Sequence, residues 1–369
     1  ILQRFGRTCV FLRWRDGCLL CWCRTRHSAA RRLLRRVGDG EPARPYQGHT
    51  GDRALVGPSK TAVIGAGMAG LSCARELMRR GVDVVVFDKG RGLGGRMATR
   101  RAQGGFQFDH GAQYLTPQSD GFSAMLKQAE AAGVVARWPQ DREKLAYVGV
   151  PGMTSLAKYL GNGLTIRKET RIESIVKSNG RWKLNLQGGD ETFDRVVITA
   201  PAPQIGALLP DAHPFNAPLK TVEITPCLTL MVGLLGDVEL PFVSRRTPEA
   251  DISWIVCDSE KPGRPDTTSI VAQASRDWSM RHLELERDAF AKLMLPLLCK
   301  ALDISAVITP AYLSGHRWRY AFVSRPLGRT YLADEEETLF AGGDWCLGAK
   351  AEDAWVSGQA IATTIAKRV

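Results

Sequence analysis

Residues 61–88 constrain this chain more than any other stretch. Thr61–Ile64 (TAVI) is a short apolar run, and Gly65-Ala66-Gly67-Met68-Ala69-Gly70 follows at once. Leu71, Ala74, Leu77 and Met78 then recur at helical spacing up to Arg79-Arg80-Gly81. A second apolar run, Val82–Phe87, ends at Asp88. Strand, glycine turn, helix and strand in this order predict a parallel βαβ unit. Each glycine has its own physical task. Gly65 permits the tight turn, Gly67 lets the backbone approach a pyrophosphate, and Gly70 lets helix and strand pack closely. The helix start at Met68 and Ala69 points free N–H groups at the phosphates. Asp88 stands where a carboxylate accepts hydrogen bonds from ribose hydroxyls, which favours a ribose over a 2′-phosphate.

Lys89-Gly90-Arg91-Gly92-Leu93-Gly94-Gly95-Arg96 comes next and reads as a second loop approaching the same diphosphate, with Arg96 available to pair with it. Such a loop does not belong to an ordinary nicotinamide-dinucleotide domain. Far along the chain, Thr338–Gly342 is another short strand that runs into Gly343-Asp344, and a helix is expected from about Ala354 to Ala366. Asp194–Thr199 is a further buried strand, stopped by the Ala200–Pro203 turn. The fold class expected is α/β: a Rossmann-type dinucleotide domain with an inserted α+β substrate domain carrying a mixed or antiparallel sheet. The dinucleotide domain is assigned residues 59–103, 155–205 and 336–369. The substrate domain is assigned 104–154 and 206–335.

The net charge of +12 invites a nucleic-acid reading, but +8 of it lies in residues 1–59, which hold 12 Arg and no Lys. The remaining body offers no strong footprint for a phosphate backbone, so no nucleic-acid partner is expected. Residues 1–58 are expected to form a basic, disordered extension. They read as a transit peptide, a basic arm or a segment without a role in the fold. The body is expected in the cytoplasm, or in an organelle if the segment is a transit peptide. Cys18, Cys21, Cys23 and His27 lack a second cysteine pair at zinc-ribbon spacing, so no metal site is assigned. No apolar run approaches the ~18–20 residues of a membrane span.

The motif set resembles the glutathione-reductase-type FAD fold in its amine-oxidase-like branch, from Lys60 to about Val369. Within that branch it is similar to the renalase family. The matching stretches are Phe87–Arg101 (FDKGRGLGGRMATRR), Phe108–Thr116 (FDHGAQYLT), Val148–Met153 (VGVPGM), Ile198–Gln204 (ITAPAPQ), Lys261–Thr267 (KPGRPDT), Arg276–Ser279 (RDWS), His316–Ala321 (HRWRYA) and Gly342–Gln359 (GGDWC…AWVSGQ). The resemblance implies non-covalent FAD. It implies cofactor contacts from Gly65, Gly67, Met68, Ala69, Gly70, Asp88, Lys89, Gly94, Gly95, Arg96, Gly111, Ala112, Gly343, Asp344, Ala354 and Trp355. Gln113, Tyr114, Gln273 and Trp318 are expected at the substrate, shaping its pocket rather than moving protons. His316 and Tyr320 are further candidates beside Trp318, and His110 and Asp109 read as fixing a turn. Glu352 and Asp353 read as helix caps.

The resemblance further implies oxidation of 2- and 6-dihydro isomers of NAD(P)H, with O2 as acceptor and H2O2 as product. Two positions depart from the family's bacterial pattern. Gln273 stands where a His is expected, and Ala146-Tyr147 stand where Arg-Trp is expected. Loss of a cation and an imidazole from a pocket for an anionic dinucleotide bears on affinity or substrate. An amine or isoprenoid-like donor is therefore a second reading, and a non-enzymatic FAD redox sensor a third.

Overall fold

Val63, Val84, Val86 and Val197 are buried against one layer of helices, and Ala62, Val85, Phe87, Val196 and Ile198 against the opposite layer. Apolar side chains at successive positions suit a parallel sheet covered on both faces. The computed structural model describes residues 59–138, 145–236, 240, 242–303 and 309–368. All of them lie in the compact unit Leu55–Val369. The expectations for residues 1–58, including the Cys18–Cys23 cluster, fall outside the described residues.

The first sheet has six strands in the order Leu332–Ala333, Leu339–Ala341, Arg195–Ile198, Lys60–Ile64, Asp83–Phe87, Thr165–Arg167. Its ladders are parallel except at the Leu332–Ala333 edge. Ile64 pairs with both Phe87 and Ile198, and Ile198 pairs with Ala341. The four strands therefore end in line, and the turns at Gly65, Asp88, Thr199 and Gly342 share one edge. Successive strands leave Lys60–Ile64 in opposite directions there, which opens a crevice suited to a ligand.

The helix Met68–Arg79 packs on this sheet and against the C-terminal helix Ala351–Ala366. A Cβ on Gly358 would lie 2.2 Å from the Ala69 carbonyl oxygen, so only glycine admits this approach. Ser72 Oγ donates to the Trp355 carbonyl (3.3 Å), and Gln359 Nε2 donates to the Ser72 carbonyl (2.9 Å). The C-terminal helix starts at Ala351, three residues earlier than expected, because Asp353 accepts the Lys350 N–H (2.9 Å) and caps it. Ala354 and Trp355 thus lie inside the helix, and the Trp355 ring packs on Phe122 (5.7 Å). Glu352 serves another helix: its carboxylate accepts the N–H groups of Gln118 and Ser119, just before Asp120–Ala131.

The second sheet is antiparallel, in the order Ser244–Arg246, Ile252–Cys257, Thr268–Ala274, Glu223–Leu234, Tyr312–Arg325. The helices Arg276–Arg281 and Arg287–Ala301 cover one face, where Trp278 and Phe290 are core. Gln273, Thr229 and His316 lie side by side across the other face, followed on the last strand by Trp318. The short hairpin Thr99–Arg101 with Gln107–Asp109 leads into the segment 109–114 over that face. No helix among the described residues is long and apolar enough to cross a membrane.

Candidate active site

The glycine turn divides its three positions as their chemistry requires. Gly65 has φ +110°, and its N–H donates to the Phe87 carbonyl (2.7 Å). A Cβ on Gly70 would come within 1.9 Å of the Gly65 oxygen, so helix and turn touch through backbone alone. A Cβ on Gly67 would meet nothing within 4 Å. Its face is open to an incoming group, as a pyrophosphate seat at the first N–H groups of the helix requires. Asp88 accepts the Ala66 N–H through Oδ2 and the Gly90 N–H through Oδ1, each at 2.6 Å. The carboxylate thereby ties the first turn to the second loop and keeps free lone pairs on both oxygens.

The second loop lies directly on the first. The Gly94 N–H donates to the Ala66 carbonyl (2.8 Å), and Gly95 faces the Gly67 Cα. Arg96 differs from expectation. Nη2 pairs with Asp344 Oδ1 at 2.6 Å, and Nη1 donates to the Ala321 carbonyl at 3.0 Å. The guanidinium bolts the loop to the Gly343-Asp344 turn instead of standing free for a diphosphate. Lys89 leans away onto Gln204 (3.1 Å). Cys346 is buried beside this turn, and burial pushes its thiol up to about 12.

The segment 109–112 rests on the same loop. The Ala112 N–H donates to the Arg96 carbonyl (2.8 Å), and a Cβ on Gly111 would be 2.0 Å from that oxygen. Three of the expected substrate residues hold this segment. Gln113 Nε2 donates to the carbonyls of Asp109 (2.5 Å) and Gly111 (3.0 Å), Gln273 Nε2 to that of Gly111 (2.8 Å), and Trp318 Nε1 to that of His110 (2.8 Å). Carbonyls of a buried turn need donors, and the amides of Gln113 and Gln273 supply them. Trp318 still presents an aromatic wall, stacked on His110 at 5.3 Å with His316 against both rings. Tyr114 sits between Trp138 and Trp254 and accepts from Arg246 Nη2 at 3.2 Å.

Beneath the segment lies a group that the sequence reading missed. Asp109, Asp258, Lys261 and Arg264 have side chains at most 1% exposed. Arg264 pairs with Asp109, Lys261 pairs with Asp258, and Lys261 Nζ lies 3.5 Å from Asp109. Lys261 also donates to Gln113 Oε1 (3.0 Å). Burial works to raise the Asp109 carboxyl, but Lys261 and Arg264 prevail and hold it below its usual range. Asp258, Lys261 and Arg264 lie within seven residues of one another, whereas Asp109 lies 149 residues before Asp258.

Burial, with Arg100 adding to it, lowers the His110 imidazole to about 4. Burial, then His110, Arg100 and Arg287, lower His316 to about 3. The unfolded chain takes up these protons near the ordinary value of 6.5. Folding stability from the neutral rings is therefore complete above pH 6.5 and is lost as pH falls towards 4. Between pH 6.5 and 5 the two rings together cost about 2 kcal/mol, allowing for the partial exposure of His316. Urea midpoints at the two pH values should show this slope, flattened by His316→Leu; equal slopes in both proteins would refute it.

Aligned parallel strand ends, an open glycine turn, and a second loop locked onto it define a dinucleotide-binding fold. A family model for an NAD(P)-binding Rossmann-like domain matches residues 63–129, and one for flavin containing amine oxidoreductases matches 135–366. The chain belongs to the flavin containing amine oxidoreductase family and is an FAD-dependent oxidoreductase. It is similar to mouse (Mus musculus) renalase, 26% identical over 298 residues, spanning 72% of this chain and 86% of that protein. An L-amino acid dehydrogenase of Synechocystis is 36% identical over 95 residues, 25% of this chain and 19% of its own. Cyclohexylamine oxidase from Brevibacterium oxydans shares the fold at TM-score 0.67 and 12% identity, over 84% of this chain and 99% of its own. A redesigned putrescine oxidase does so at TM-score 0.65 and 12% identity, over 84% and 99%.

Proposed function

We propose that this flavoenzyme oxidises isomeric 2- and 6-dihydro forms of NAD(P)H. The open face of Gly67, the helix start at Met68 and Ala69, Asp88, and the Gly94-Gly95 loop fit the ADP half of FAD. The Gly343-Asp344 turn and the 109–112 segment fit the remainder. When bound, FAD supplies a hydride acceptor. The dihydronicotinamide gives up hydride and becomes the aromatic oxidised cofactor. O2 takes the two electrons together with two protons and leaves as H2O2.

The observation that carries this reading is the wall of Trp318, His110 and His316. It offers a flat ring a stacking surface and presents no ionised base. A donor that needs only alignment, and no deprotonation, suits such a site. Trp318 keeps its indole N–H on the His110 carbonyl, so its ring is held in one orientation. Gln273 holds the Gly111 carbonyl from the position where the bacterial pattern has His. That departure leaves the turn anchored.

The amine reading is less well supported. An amine-binding aromatic cage needs open ring faces, and the two tryptophans packed against Tyr114 carry the protein's own cations. The Arg246 guanidinium lies 3.7 Å from the Trp254 centroid, and Lys261 Nζ lies 5.4 Å from that of Trp138. The test is anaerobic mixing of the FAD-loaded protein with 2- and 6-dihydro-NADH. The expected result is rapid bleaching of the flavin and recovery in air. A flavin that stays oxidised with both isomers but bleaches with amines would replace this reading with the amine one.

A further inference from the structure

A cavity of about 400 Å³ opens beside the hairpin Thr99–Arg101 with Gln107–Asp109, and none of its lining residues is among those placed at the flavin or the substrate. Arg101 enters it from the hairpin. Ser155, Lys158, Tyr159 and Asn162 enter it from the helix Thr154–Leu160 and the turn that follows. Strand alternation parts two neighbouring arginines here. Arg100 turns to the substrate sheet, where Nη1 donates to Ser314 Oγ (3.1 Å). Thr99 turns the other way and accepts the Thr154 N–H through Oγ1 (3.1 Å), and Arg101 shares the Thr99 face.

The walls are fixed by the protein's own bonds. The Val150 N–H donates to the Val134 carbonyl (2.9 Å), and Arg264 Nη1 holds the carbonyls of Gly149 (2.9 Å) and Pro151 (2.8 Å) from the buried side. Arg75 Nη1 donates to the Tyr159 carbonyl (2.7 Å), and its guanidinium lies 4.8 Å from the Tyr159 ring centroid. A preformed hollow of this volume falls within the roughly 300–1,000 Å³ of small-molecule sites.

Its polar groups are all unspent. Among the described residues, the charged ends of Arg101 and Lys158, the hydroxyls of Ser155 and Tyr159 and the Asn162 amide have no hydrogen-bond or ion-pair partner in the chain. No carboxylate lines the cavity. Two unanswered cations with three neutral donors match a group that brings charge and several acceptor oxygens together. A carboxylate brings one charge and two oxygens. A phosphomonoester brings about −1.5 to −2 charge near neutral pH and three terminal oxygens. Val134, Val150 and Pro151 form an apolar wall, which suits an apolar body attached to the phosphate and offers nothing to a bare ion.

We propose that this cavity is a second small-molecule site, which takes a phosphomonoester with an apolar or aromatic body. The phosphate pairs with Arg101 and Lys158, and the body lies against Val134, Val150 and Pro151. The site does not depend on which hydride donor the flavin oxidises, and its ligand undergoes no reaction there.

The test is calorimetric titration of the FAD-loaded protein with phenyl phosphate, with inorganic phosphate and phenol in parallel. Phenyl phosphate should bind saturably, inorganic phosphate more weakly, and phenol not at all. Arg101→Ala and Lys158→Ala should each weaken phenyl phosphate about tenfold, the loss of one charge-assisted contact. Arg101→Lys should recover part of the affinity, and Arg171→Ala, an exposed arginine elsewhere, should leave it unchanged. Both alanine variants should keep the wild-type flavin content, and the flavin spectrum should not move on binding. No saturable binding in the wild type, or equal affinity in the wild type and both alanine variants, would overturn the site. So would a flavin spectral shift that saturates together with the heat, because it places the ligand at the cofactor. Inorganic phosphate bound as tightly as phenyl phosphate would overturn the ligand class.

Discussion

Replacing Lys261 by Met should cost about 3–5 kcal/mol, the loss typical of removing one partner from a buried ion pair. Lys261 has no exposed side-chain surface and pairs with Asp258, as Asp109 lies 3.5 Å away. Its removal leaves two buried carboxylates facing one guanidinium. Burial already pushes the Asp258 carboxyl up, and loss of Lys261 strengthens that tendency. The paired variant Lys261→Met with Asp258→Leu removes the stranded charge along with its partner. It should recover much of the loss, because a buried pair exchanged for apolar groups is often close to neutral. Urea unfolding of the FAD-saturated proteins, read by tryptophan fluorescence, measures both. A single variant within 1 kcal/mol of wild type, or a double variant worse than the single, would refute the account. Lys261 also holds Gln113 Oε1, so the single variant should loosen the 109–112 turn and lower flavin affinity as well.

The sequence made the first half of the site legible because its signals are local. Gly65, Gly67, Gly70 and Asp88 lie within one strand–turn–helix–strand unit, where spacing alone implies geometry. The three-stranded meander Ile172–Phe193 is open to the same kind of reading. Asn179 (φ +50°) and Gly180 (φ +74°) adopt a paired left-handed turn between its first two strands, which the Asn-Gly dipeptide signals. The rest depends on long-range partners. Nothing near Arg96 indicates that Asp344, 248 residues away, takes its guanidinium. Gln113, Gln273 and Trp318 looked like substrate contacts because polar and aromatic residues in a motif suggest function. Only the fold shows that their N–H groups converge on the carbonyls of one turn. The tetrad Asp109, Asp258, Lys261 and Arg264 spans two distant segments, so its charge balance appears only after folding.

Gly67→Val should give a folded protein that holds less than a tenth of the wild-type flavin. Gly67 has φ −82°, which any residue adopts, and a Cβ there meets nothing in the protein. The stability of the apoprotein should therefore change by no more than about 0.5 kcal/mol, as at an unconstrained surface position. The added isopropyl group occupies the space that a pyrophosphate must enter to reach the helix N–H groups. Gly70→Val is the contrasting case. Its Cβ would lie 1.9 Å from the Gly65 oxygen and 2.7 Å from Thr199 Oγ1, so the backbone itself must move. That variant should lose flavin and also more than about 4 kcal/mol of apoprotein stability. Visible flavin absorbance and urea midpoints of the apoproteins separate the two effects. If Gly67→Val retains its flavin, the open face of the turn is not the pyrophosphate seat, and the cofactor must approach the sheet edge from the side of Asp344 and Arg96. If Gly67→Val unfolds the protein, the turn's space is needed by the chain itself, and its openness says nothing about a ligand.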